Sequence, residues 1–168
     1  MTTAEFFDIL GRMVPTDTTF VCSLGRTSEE AFARFPGRTL FLDSMGDVMP
    51  VACGVALGVS EAHPVVALDT DGGQLMGLAA LPTVAQIVDR LSNLLVVVFD
   101  NGIYESAGGL PSRSCALDWS RLGEAFGLSV CVVDLPDDCA IALASAFHKF
   151  AILVVSIRNG PGAVKTNK

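Results

Sequence analysis

Apolar positions along this chain alternate between short unbroken runs and stretches with helical spacing, and that alternation sets an element order. Thr2 and Glu5 form a capping box ahead of Phe6, Ile9, Leu10 and Met13, an i, i+3, i+4, i+7 stripe that predicts a first helix. Residues 20–23 read as a strand, Thr27 and Glu30 as a second capping box opening a helix through Phe35, and 40–42 as a strand. Residues 50–59 predict a buried helix in which Gly54 and Gly58, four apart, would admit a neighbouring backbone. A strand at 65–69, a helical stretch at 74–90 interrupted near Pro82, and a strand at 94–99 follow. A Gly-rich loop at 100–111 precedes a helix at 117–126, a strand at 130–133, a helix at 139–150 and a strand at 152–157. Short strands that are apolar throughout and alternate with helices mark a parallel sheet covered on both faces. The expected fold class is α/β, doubly wound, with a mainly parallel sheet. Ligands in such folds sit beyond the carboxyl ends of the strands, so the loops after residues 23, 42, 69 and 99 are the ones to search.

Composition narrows the function classes. The 168 residues, 51% hydrophobic and 17% charged, suit one folded domain over 1–168, with 159–168 expected as a flexible C-terminal tail. Eleven Lys and Arg against eighteen Asp and Glu give a net charge of −7, which excludes a basic face for nucleic acid. The densest apolar run, 94–99, is far short of the roughly 20 residues of a membrane span. MTTAEFFDIL has no basic n-region, so no secretory signal is expected. Five cysteines form no CxxC pair, and Cys22, Cys53 and Cys131 lie in apolar runs, so buried free thiols and a cytoplasmic location are expected.

The four loops read Leu24-Gly25-Arg26-Thr27-Ser28, Asp43-Ser44-Met45-Gly46-Asp47, Thr70-Asp71-Gly72-Gly73 and Asp100-Asn101-Gly102-Ile103. Gly-rich turns leading into helices present N–H groups to phosphate oxygens, and Asp71 and Asn101 offer the hard oxygens that Mg²⁺ prefers. A rival reading takes VVALDTDGG as a phosphatase motif of the haloacid-dehalogenase type, with Asp69 as nucleophile. Against it, Asp137 and Asp138 precede Lys149, the reverse of that family's order, and 68 residues would precede the motif. No GxGxxG, GxxxxGK[ST] or GxSxG occurs. His63 and His148 fall outside the four loops and are read as surface or structural residues. The loops thus form a ligand cradle with no evident acid–base residue.

TDG, 27 residues, then Asp100-Asn101 resembles the GDG…NN signature of thiamine-diphosphate enzymes. LDSMGDVMPVACGVALGV, DNGIYESAGGLPS and SLGRTSEEAF resemble segments of one branch, the sulfopyruvate and phosphonopyruvate decarboxylases. The resemblance runs from about residue 5 to 158 and concerns the diphosphate-binding (PP) domain. It implies that Asp71, Asn101 and the Ile103 carbonyl bind Mg²⁺. It further implies that Gly72 and Gly73, assisted by the turn at Gly25, offer N–H groups to thiamine diphosphate. The 43–45 loop would contact the cofactor through the Asp43 carbonyl, Ser44 and Met45, with Met45 the apolar wedge that bends it. Three positions depart from the family pattern: Thr70 for the first Gly of GDG, Asp43 for a Gly, and Glu29 for the Arg of TSREL. In such enzymes a pyrimidine-binding (PYR) domain carries a catalytic Glu, so a PYR (α) subunit is the implied partner in a hetero-oligomer. The implied reaction is decarboxylation of a small 2-oxo acid. A carboligase subunit, a non-catalytic PP-domain relic and the phosphatase stay open as alternatives.

Overall fold

The computed structural model describes residues 1–147 and 149–158, so the expectations for His148 and the 159–168 tail lie outside the described residues. Helix α1 (Thr3–Met13) starts at the expected capping box, with the Glu5 N–H donating to Thr2 Oγ1 at 3.2 Å and the Thr2 N–H to Glu5 Oε2 at 2.7 Å. After β1 (Thr19–Cys22) comes α2 (Arg26–Arg34), whose N-cap is Gly25 at φ 108° with no side-chain cap. The expected Thr27–Glu30 box therefore does not form. Only glycine tolerates that backbone angle, and it starts the helix one residue before Thr27. β2 (Thr39–Phe41) and α3 (Val48–Gly58) follow. Added Cβ atoms at Gly54 and Gly58 would meet nothing within 4 Å, so no backbone among the described residues approaches that face.

β3 (Val65–Thr70) leads directly into α4 (Asp71–Met76), so Asp71, Gly72 and Gly73 form a helical first turn, not a loop. Thr70 is the reason: in extended conformation, its side chain accepts the Gly73 N–H at 3.1 Å and caps the helix. The interruption falls at Gly77, where a Cβ would lie 2.4 Å from the Gly46 carbonyl; α5 (Leu81–Ile87) resumes with Pro82 in its first turn. Beyond β4 (Leu94–Asp100), the expected loop contains a small antiparallel hairpin, β5 (Ile103–Tyr104) and β6 (Leu110–Pro111). α6 (Trp119–Ala125), β7 (Val130–Val133), α7 (Pro136–Ala146) and β8 (Ala151–Ser156) complete the order.

The six long strands form one parallel sheet in the order β2-β1-β3-β4-β8-β7. Alternate residues feed opposite cores. Phe20 and Cys22 join Phe6, Phe7, Leu10 and Leu143 on one face, while Val21 joins Met49, Leu81 and Trp119 on the other. Phe99, at the carboxyl end of β4, meets Phe6 edge-on at 5.0 Å and fixes α1 over that end. At the opposite end, buried Asn93 donates to the carbonyls of Ala56, Ser60 and His63, and His63 Nε2 lies 2.9 Å from Thr19 Oγ1. Burial of the cysteines differs in part from expectation: Cys22, Cys53 and Cys139 are buried, whereas Cys131 is exposed because β7 is an edge strand. No helix among the described residues is long and apolar enough to cross a membrane.

Candidate functional site

Strand order reverses at β1, which lies between β2 and β3, and a crevice opens beyond the carboxyl ends at such a switch point. A cavity of about 150 Å³ lies there, and Gly25, Met45, Asn101 and Ile103 of the expected site line it. Asp71, Gly72 and Gly73 are buried in the adjoining first turn of α4. Register pairs Thr70 with Phe99, so residues 71 and 101 leave adjacent strand ends. Asp43 is exposed and Ser44 half-buried, its carbonyl accepting from Ser23 Oγ at 3.0 Å. Contact between Gly46 and Gly77 joins the Met45 loop to the end of α4.

Asp71 is completely buried. Its Oδ2 accepts from Ser112 Oγ and lies 2.9 Å from Ser114 Oγ, whose one hydrogen it shares with Asp100, while Oδ1 has no hydrogen-bond partner among the described residues. Burial raises its pKa, against the pull of the Ser112 and Ser114 hydroxyls. Asn101 accepts the Ile103 N–H on Oδ1 at 3.0 Å and donates through Nδ2 to Glu105 Oε1 at 3.3 Å. The Gly73 N–H is engaged by Thr70 Oγ1, so it reaches a phosphate only if that cap yields. Close approach crowds both glycines: a Cβ on Gly72 would lie 2.3 Å from the half-buried Tyr104 ring, which would have to move, and one on Gly73 2.1 Å from the buried Asp69 Oδ1.

Several contributors were not foreseen. Ser112, the last residue of the DNGIYESAGGLPS segment, and Ser114 sit just past the hairpin, and nothing in the sequence marked either as a partner of Asp71. Glu105 places a carboxylate on the cavity wall, where the sequence suggested no acid–base group. Arg26 and Arg158 also line this cavity, although the chain as a whole is acidic. Asp69 does not fit the phosphatase reading. It is 1% exposed and accepts the Thr70 N–H at 2.8 Å, which leaves no approach for a phosphate ester. Burial pushes Asp69 up to about 7 against the pull of that N–H, and nearby Asp71 adds to the rise.

A cradle of buried carboxylate, neighbouring Asn and tightly packed glycines at a parallel-sheet switch point matches one class. The family model for the thiamine pyrophosphate enzyme C-terminal TPP binding domain matches residues 27–157. This chain belongs to that family. Phosphonopyruvate decarboxylase of Streptomyces viridochromogenes is 32% identical over 154 residues, covering 90% of this chain and 38% of the relative. Sulfopyruvate decarboxylase subunit beta of Methanothermobacter thermautotrophicus is 33% identical over 146 residues, 86% of this chain and 76% of the relative. The chain therefore spans well under half of the first relative and about three-quarters of the second. A thiamine diphosphate-dependent 4-hydroxybenzoylformate decarboxylase of Rhodococcus jostii RHA1 shares the fold, with TM-score 0.74 and 21% identity over 95% of this chain and 33% of that one.

Proposed function

We propose that this domain is the diphosphate-binding (β) part of a thiamine-diphosphate- and Mg²⁺-dependent 2-oxo acid decarboxylase of the sulfopyruvate or phosphonopyruvate type. Its PYR domain would reside on a separate α subunit. The observation that carries the reading is the unpartnered Oδ1 of buried Asp71, the residue after β3, near Asn101, the residue after the adjacent strand β4. A buried carboxylate oxygen without a donor is costly, and a hard cation satisfies it. The donor set fits Mg²⁺, which takes carboxylate, amide and carbonyl oxygens and keeps phosphate oxygens and water as further ligands. Asp71, Asn101 and the Ile103 carbonyl would hold the ion. Gly72, the Gly25 turn and the N-terminal N–H groups of α2 would receive the diphosphate; Gly73 would join them once Thr70 releases its N–H. The Asp43 carbonyl and Ser44 would face the aminopyrimidine, and Met45 would support the cofactor from the cavity wall. When bound, thiamine diphosphate supplies the electron sink that stabilises the carbanion left by decarboxylation. Arg26 and Arg158 suit an anionic 2-oxo acid entering the same cavity.

The named β subunit among the relatives supports a two-subunit assembly. The test is reconstitution. This chain alone, with Mg²⁺, thiamine diphosphate and sulfopyruvate or phosphonopyruvate, is expected to be silent, and addition of a PYR-domain subunit is expected to restore turnover. Full turnover without that partner sinks the two-subunit reading.

A second expectation concerns Met45, which is half-buried on the cavity wall. In the assembled protein, Met45→Ala should slow hydrogen–deuterium exchange at cofactor C2 by about 10- to 100-fold, because a small misplacement has that effect on rate. Diphosphate affinity should fall less. An unchanged exchange rate removes Met45 from the cradle.

A further inference from the structure

Asp71 is gripped on one side only. The serines that grip it come from beyond the β5–β6 hairpin, where Arg113 adopts a left-handed φ of 69°. That conformation is unusual for a residue with a Cβ, and here it separates two inward-facing serines while Arg113 itself is exposed. Ser112 and Ser114 are 6% and 1% exposed, with their hydroxyl oxygens 3.0 Å apart. The Ser114 N–H donates to Ser112 Oγ at 3.3 Å, which leaves the Ser112 hydroxyl hydrogen for Asp71 Oδ2. Ser114 Oγ lies 2.9 Å from Asp71 Oδ2 and 2.6 Å from Asp100 Oδ1. Asp100 is itself anchored, its Oδ1 accepting the Gly102 N–H at 3.1 Å and its Oδ2 accepting Trp119 Nε1–H at 2.8 Å. The chain of contacts runs from the buried indole of α6 through Asp100 and Ser114 to one oxygen of Asp71.

A carboxylate held by a single oxygen has its rotation about the Cβ–Cγ bond fixed, so the other oxygen has a defined direction. We propose that Ser112 and Ser114 are positioning residues for the metal: they occupy Asp71 Oδ2 so that Oδ1 alone is presented to the divalent cation. The inference rests on Asp71 being the ligand, as in the function proposed above. Groups that orient a metal-bound carboxylate typically change metal affinity 10- to 100-fold when removed.

The test is a titration of the assembled protein with Mn²⁺ in the presence of thiamine diphosphate, followed by electron paramagnetic resonance of free and bound ion. The Ser112→Ala/Ser114→Ala double variant is expected to bind Mn²⁺ about 10- to 100-fold more weakly, with its circular dichroism spectrum unchanged. Ser114→Ala alone retains the Ser112 bond and should show a smaller fall; it serves if the double variant does not fold. Ser145→Ala, on the exposed side of α7, should match the unaltered protein. Unchanged Mn²⁺ affinity in the serine variants overturns the inference. Asp71→Ala separates the two readings in the same titration. If it loses Mn²⁺ while the serine variants do not, only the positioning role falls; if it keeps full affinity, the ligand assignment falls with it.

Discussion

Asp71→Ala is expected to abolish thiamine-diphosphate-dependent turnover while leaving the fold in place. Two opposing effects decide the stability side. The substitution removes two hydrogen bonds to a buried carboxylate, but it also removes a charge whose burial is unfavourable enough to raise its pKa. The serine hydroxyls keep partners after the change, because Ser114 still reaches Asp100 and Ser112 still reaches Ser114. The net cost should therefore be about 1 kcal/mol, a shift of a few degrees in Tm for a domain of this size. The functional side has no such compensation. Among the proposed metal-holding groups Asp71 is the one anion; Asn101 and the Ile103 carbonyl are neutral. Asp71→Asn should lose activity as well, since it keeps the shape and removes the charge. The measurements are turnover and cofactor affinity with the PYR subunit present, alongside a thermal melt. Near-normal cofactor affinity in Asp71→Ala would remove the metal assignment.

Fold class was legible because each buried strand is a nearly unbroken apolar run, and residues such as Phe20, Val21 and Cys22 feed cores on both sides of the sheet. Local backbone chemistry moved the boundaries. Thr70 caps a helix from residue 71, ahead of the apolar periodicity that suggested 74, and Gly25 displaced the expected box at Thr27. The four strand-end loops follow from parallel topology, which sends ligands there, and one residue or more from each lines the same cavity. Residues brought in from outside those loops were not legible. Ser112, Ser114 and Arg158 reach the site through the hairpin and the end of β8, and no periodicity encodes such long-range placement. Gly54 and Gly58 show a related limit: a four-residue spacing places both on one helix face but says nothing about what covers it.

Gly73→Ala is expected to destabilise the protein by about 1–3 kcal/mol, the range for overpacking a buried site. Helix propensity alone points the other way, since alanine is favoured over glycine in a helix by about 1 kcal/mol. Packing decides the sign. A methyl at position 73 would lie 2.1 Å from Asp69 Oδ1 and 3.0 Å from its Cγ. That carboxylate cannot swing away cheaply, because it is 1% exposed at the end of a central strand and already accepts the Thr70 N–H. The first turn of α4 must then move, stretching the Gly73–Thr70 cap and shifting Asp71 and Gly72 with it. Cofactor affinity should fall together with stability. A double-mutant cycle with Asp69→Ala isolates the cause, because removing the carboxylate opens the space the methyl needs. In that background Gly73→Ala should be neutral or stabilising, giving a coupling of about 1–3 kcal/mol by denaturant unfolding. Equal destabilisation by Gly73→Ala with and without Asp69 would show that the strand-end carboxylate does not set the glycine requirement. A stabilised single variant would mean that helix propensity outweighs the close approach of α4 to β3.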